Sequence, residues 1–117
     1  MDRSYQLVIR VEGALRCTIG RLGTFAFPAG GYVYTGSAKR GLEARVARHL
    51  RHDKTLRWHI DYLLAAPGVC VIEVRRSPRE ECELHRSTRG TIVVPGFGAS
   101  DCHQRCGAHL KYCGERL

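Results

Sequence analysis

The stretch from Gly30 to Leu50 constrains the fold of this chain more than any other. It opens Gly30-Gly31-Tyr32-Val33-Tyr34, turns through Thr35-Gly36-Ser37-Ala38-Lys39-Arg40-Gly41, and continues Leu42-Glu43-Ala44-Arg45-Val46-Ala47-Arg48-His49-Leu50. This reads as a short strand, a Gly/Ser turn and an amphipathic helix. Side chains alternate across a strand, so Tyr32 and Tyr34 share one face and Val33 takes the other. Leu42, Val46 and Leu50 recur every four residues as an apolar stripe, and Arg45 and His49 lie along its edge, one turn apart. A phenol, a guanidinium and an imidazole thus converge where strand meets helix. Singly, each has an ordinary explanation in packing or a solvated helix face. The combination points to chemistry.

The rest of the chain supplies elements to build around this unit. Ser4 to Val11 is rich in β-branched and aromatic residues and predicts a first strand, ending at the turn Glu12-Gly13-Ala14. Leu15 to Ile19 and Phe25 to Phe27 predict two more, and the short connections predict an antiparallel meander. After the Leu42 to Arg51 helix, Thr55 or Asp53 is a cap for a helix from Leu56 to Ala65, which Pro67-Gly68 ends. Gly68 to Val74 is the most β-prone run and predicts a well-buried strand. Ser77-Pro78-Arg79-Glu80 has the pattern of a helix start, and that helix should reach His85 or Thr88. Thr91 to Val94 is a short extended piece, 95–100 a loop, and 101–112 a last helical or irregular segment. On a helix His59 and Asp61 diverge. The structural expectation is that Asp61 pairs with an Arg while His59 bonds within the core; the functional alternative puts one of them beside a phosphate cleft.

A chain of 117 residues fits one compact domain. No apolar run reaches membrane-spanning length and the N-terminus lacks a secretion pattern, so no membrane association and a cytoplasmic address are expected. Nineteen Lys plus Arg against eleven Asp plus Glu give a formal charge of +8. The cations cluster from Lys39 to Arg57, which makes nucleic acid the first partner to consider. Six cysteines, in a chain read as cytoplasmic, point to reduced thiols or a metal site before disulfides. Cys102, Cys106 and His109, with Cys113 as a fourth ligand, form a crowded candidate set for structural Zn²⁺; buried free thiols are the simpler alternative.

The order of parts resembles the GIY-YIG nuclease superfamily, and within it the branch of Uri-superfamily endonucleases. The carriers are Ser4-Tyr5, Tyr34-Thr35-Gly36-Ser37-Ala38, Arg45 with His49, and Glu81 in a later helix. Trp58-His59-Ile60-Asp61-Tyr62-Leu63-Leu64, the stretch from Gly96 to Cys102, and His109-Leu110 add to the likeness. The chain departs from the name-giving motifs at Arg3-Ser4 and at Thr35, and it contains no asparagine, where many members carry a late one.

The resemblance implies a small α+β domain with a central antiparallel sheet flanked by helices. It also implies a metal-dependent endonuclease acting on DNA, with RNA as a further possible substrate, in repair, recombination or defence. Tyr5 and Tyr34 are then candidate bases with His49 as helper, and cations nearby are expected to lower a Tyr pKa. Arg45 is the candidate for phosphoryl charge. Glu81 is the candidate ligand for one Mg²⁺ or Mn²⁺, with Glu83 as rival. Lys39, Arg40, Arg48 and Arg51 are candidate nucleic-acid contacts. A non-catalytic nucleic-acid-binding module is the alternative from another class, and a structural zinc protein a third.

Overall fold

The computed structural model describes residues 1–99, 102 and 104–115. Its elements are β1 (Ser4–Val11), β2 (Leu15–Ile19), a 3₁₀ turn (Gly20–Leu22), β3 (Gly23–Phe27), β4 (Gly30–Ser37), α1 (Leu42–Leu50), α2 (His59–Leu64), β5 (Val69–Ser77), α3 (Glu81–Ser87) and β6 (Leu110–Gly114). This is an α+β domain with a four-stranded antiparallel sheet in the order β5-β1-β4-β6.

β1 sits at the centre of the sheet because both of its faces are apolar or internally hydrogen-bonded: Ser4 to Ile9 are all buried. Tyr5, Leu7, Ile9 and Val11 face the main core, where Val46 of α1 and Ile60 and Leu63 of α2 pack on them. Full burial of each such aliphatic side chain stabilises the fold by about 1.5–3 kcal/mol. On the opposite face Gln6 Nε2 donates to Thr35 Oγ1 (3.1 Å) and to Thr88 Oγ1 (2.7 Å), joining β1 to β4 and to the end of α3.

The strands do not form a meander. β2 and β3 make a separate hairpin, and β1 pairs with β4 and β5, strands far from it in sequence. β5 is an edge strand among the described residues, and none of its residues is fully buried, where a well-buried strand was expected. Ile72, half exposed, is the residue left out of the pairing at the irregularity between β1 and β5. The described tail residues before Leu110 are irregular, one of the two forms expected, and only the final run departs from expectation by forming β6 against β4, with Thr91 in an isolated bridge to Tyr112. Ser100 and Asp101, at the junction of the expected loop and tail, and His103 lie outside the described residues.

Two helix starts also differ. α2 begins after Trp58, not at Leu56, because the Asp61 carboxylate binds the N–H groups of Arg57 and Trp58 (both 2.9 Å) and fixes the first turn there. α3 begins after Glu80 because Ser77 still belongs to β5, opposite Ser4. Ser77 Oγ accepts the Arg79 N–H (3.1 Å) in the turn between them. In α1 the buried pair is Val46 and His49, whereas Leu50 is exposed, since the chain leaves helical geometry at Arg51. No described helix is long and apolar enough to cross a membrane.

Candidate active site

The ends of β1 and β4, the start of α1, α2 and α3 surround an open cleft of about 870 Å³. Tyr5, Tyr34, Arg45 and Glu81, four of the residues singled out by the sequence, line it. The fifth, His49, stands just behind: its Nε2 is 2.7 Å from the Tyr5 hydroxyl. The register explains the convergence. Tyr5 lies opposite Gly36 and Leu7 opposite Tyr34, so both phenols occupy the same face of adjacent strands, with ring centroids 6.5 Å apart. Gly36 is required by this approach, since a Cβ there would fall 2.5 Å from the Tyr5 ring and hydroxyl. Tyr32, by contrast, is structural: it packs on Phe27 and Tyr112 and donates to Pro28 O (2.6 Å).

The phenols are not acidified. Burial raises both above the usual tyrosine range, outweighing the pull of Arg45. Burial also drives His49 down to about 4, so at neutral pH it is an uncharged imidazole beside a protonated phenol. Its Nδ1 has no hydrogen-bond partner among the described residues. A neutral imidazole has one nitrogen able to take up a proton, and its Nε2 is the nitrogen beside the Tyr5 hydroxyl. Trp58 closes the other side of His49, at 5.6 Å between centroids, and carries two guanidiniums: Arg45 at 5.0 Å and Arg48 at 4.3 Å from its ring.

The two arginines are held differently. Arg45 Nη1 donates to Ser37 O (2.7 Å), which aims the remaining N–H groups along the cleft wall. Arg48 is committed to the fully buried Asp61 through two 3.0 Å bonds, one to each carboxylate oxygen. The guanidinium expected to meet nucleic acid is thus engaged inside the protein. The expectation that Asp61 pairs with an Arg describes the arrangement. Lys39, with Arg3 and Arg57, lines the cleft, and Arg40 lies beside it on the turn into α1. Arg51 is exposed at the far end of that helix, and its guanidinium makes a long contact to Asp53 O (3.5 Å). His59 borders the cleft and also bonds within the fold, accepting the Gly98 N–H at Nδ1 (2.9 Å).

Glu81 opens α3 at the cleft floor. Its Oε1 accepts from Ser37 Oγ (2.8 Å) and its Oε2 lies 2.8 Å from His109 Nδ1 in a bent ion pair. Burial would raise the Glu81 pKa, but His109 and Ser37 outweigh it and hold the carboxyl below its usual range. Burial works against charge on His109 too, yet Glu81, with Cys106 and Cys102, carries it up to about 9. Glu83 faces away into solvent, where it pairs with Arg79 (2.7 Å). The two carboxylates lie on different sides of the helix, as a separation of two residues requires.

Beyond His109 lies a group that the sequence reading only half identified. Cys82, Cys102, Cys106 and His109 bring their ligand atoms within 4.8 Å of one another. These three thiols and an imidazole could hold a metal ion. Cys113 is not among them; it belongs to β6, with its thiol near Arg89 O and Lys111 O. Cys82 takes the place expected for it. The signal was present in the sequence, since Cys82 adjoins Glu81, but nothing local ties it to a tail some twenty residues on. Burial pushes the Cys82 thiol up to about 12. Burial opposes ionisation of Cys102 as well, but N–H groups of Cys106 and Gln104 aimed at its sulfur bring it down to about 6.

A small α+β domain with a basic cleft lined by paired tyrosines, an arginine and an ionised glutamate defines the class. The chain belongs to the family described as "Domain of unknown function DUF123", which it matches over residues 4–117. No curated protein and no solved structure matches it.

Proposed function

We propose that the cleft hydrolyses phosphodiester bonds in DNA, as the resemblance to GIY-YIG nucleases of the Uri branch implies. The observation that carries this reading is the gathering of Tyr5, Tyr34, Arg45, His49 and Glu81, from four separate elements, at one basic cleft. Arg45, fixed by Ser37 O, meets the charge that grows on the phosphoryl oxygens, in a part-buried setting where a guanidinium counts for more than in water. The proton of the attacking water passes to His49 through the Tyr5 hydroxyl, 2.7 Å from it. A bound phosphate raises the proton affinity of that imidazole, because opposite charge favours its protonated form. Tyr34, beside Tyr5, orients the water. Lys39 at the cleft wall and Arg40 and Arg51 outside it engage the nucleic-acid backbone, while Arg48 acts indirectly, holding Trp58 and α1 in place.

Glu81 fits the metal expected here: it is ionised, borders the cleft and is a quarter exposed, and one carboxylate among waters suits Mg²⁺ or Mn²⁺. Such an ion, when bound, supplies Lewis-acid stabilisation of the departing oxygen. Binding without cleavage is a second reading, favoured by the engagement of both Glu81 oxygens with Ser37 and His109.

The test is a cleavage assay on labelled single-stranded, duplex, nicked, flapped and branched DNAs with Mg²⁺ or Mn²⁺, with an RNA strand alongside. Cutting that requires the metal and is lost in Glu81→Gln supports the nuclease. Tight, salt-sensitive binding with no cutting under either metal transfers the assignment to a binding module.

A further inference from the structure

We infer that Cys82, Cys102, Cys106 and His109 form a tetrahedral zinc site that ties α3 to the C-terminal segment and sets the position of Glu81. A Zn²⁺ ion with Zn–S bonds of about 2.3 Å and a Zn–N bond of about 2.0–2.1 Å requires S···S edges of roughly 3.8 Å and S···N edges of roughly 3.6 Å. Cys82 Sγ lies 3.7 Å from Cys102 Sγ and 3.8 Å from His109 Nε2. All four ligand atoms fall within 4.8 Å. Three thiolates and one imidazole are a closed, soft donor set of the kind that selects zinc for a structural role.

The surroundings complete the site. His109 Nε2 lies toward the thiols while its Nδ1, on the other side of the ring, is 2.8 Å from the Glu81 carboxylate, the placement in which a carboxylate orients a ligating imidazole. Cys82, Cys102 and His109 also border the cleft, which gives an ion a route in. The fold has a use for the bond. α3 is only seven residues long, and the described residues just before β6 lie in no helix or strand, so a metal bond between them adds a tie that regular secondary structure does not supply. The metal site stands whether or not the cleft cuts DNA; only its effect on Glu81 rests on the nuclease reading.

The test is the metal content of protein purified in reductant without chelator, together with the absorption spectrum after Co²⁺ exchange. The expected result is about one zinc per chain and the intense d–d bands of tetrahedral, thiolate-rich Co²⁺. Cys82→Ser should reduce the zinc content at least about tenfold, while Cys113→Ser and Cys70→Ser retain it. If Cys82→Ser fails to fold, the stoichiometry and cobalt spectrum of the wild type decide alone. Folded wild-type protein without stoichiometric metal, an octahedral cobalt spectrum, or zinc lost in Cys113→Ser but kept in Cys82→Ser would overturn the assignment. Since zinc content is read without DNA, its failure is distinct from failure of cleavage.

Discussion

Replacing Asp61 by Ala should be among the most damaging single changes outside the apolar core. Its side chain is fully buried and accepts four hydrogen bonds: two from Arg48 at 3.0 Å, and one each from the N–H groups of Arg57 and Trp58 at 2.9 Å. Truncation leaves a part-buried guanidinium and two backbone donors without their acceptor. Breaking a buried ion pair costs about 3–5 kcal/mol, and each orphaned donor about 1–3 kcal/mol. Arg48 keeps a fifth of its side chain exposed and can recover some hydration, so the lower end applies, about 3 kcal/mol. For a domain of this size that lowers Tm by roughly 10–15 °C. Urea denaturation read by far-UV circular dichroism measures it, with Glu73→Ala as the comparison. Glu73 is bonded to Arg75 at 2.9 Å, but both side chains are more than half exposed, and its loss should leave the midpoint where it was. Should Asp61→Ala cost no more than Glu73→Ala, the claim that this pair clamps α1 to α2 is wrong.

Gly36→Ala forces a methyl group to within 2.5 Å of the Tyr5 ring, so Tyr5 must shift away from His49. Stability should fall by about 1–3 kcal/mol in thermal melts, and cleavage should fall further than the lost folded fraction explains. Stability should also decline in mild acid because of His49, whose folded pKa of about 4 lies below its unfolded value. Between about pH 6.5 and pH 4 only the unfolded chain takes up this proton, so stability drops as pH falls through that window and levels off beneath it. The His49 share of the loss is at most about 3 kcal/mol. His85, which burial also drives down to about 4, adds a slope of the same sign, so His49→Gln should reduce the slope in urea titrations across that range by about half.

The site was more legible than the sheet. Tyr34, Arg45 and His49 come from one continuous strand–turn–helix unit, whose internal geometry is local and follows from alternation and helical periodicity. Tyr5 and Glu81 were added by resemblance, and the register of β1 on β4 explains why Tyr5 arrives beside Tyr34. Sheet order was not legible, because pairing β1 with β5 is decided by burial on both faces of β1, a property of the assembled core. The Ser77-Pro78 helix signal was real in kind but yielded to tertiary pairing, which keeps Ser77 in β5 opposite Ser4. Leu50 illustrates the reverse error. An apolar residue on the right period is exposed, while His49 is buried because Tyr5 satisfies one of its nitrogens. The thiol cluster was half visible for the same reason: three of its members lie close together in the tail, and Cys82 reaches them only through the docking of α3.

The most direct test of the nuclease account compares binding and cutting by one variant, Arg45→Ala, on the same labelled DNA with Mg²⁺. Arg45 is assigned to the charge of the transition state, with Lys39 at the cleft wall and Arg40 and Arg51 outside it supplying the affinity. The expected result is a cleavage rate about 10²–10³-fold lower with affinity reduced by less than about tenfold. Cleavage that survives the substitution, or that falls only in proportion to binding, would contradict the assignment of the cleft as the catalytic centre.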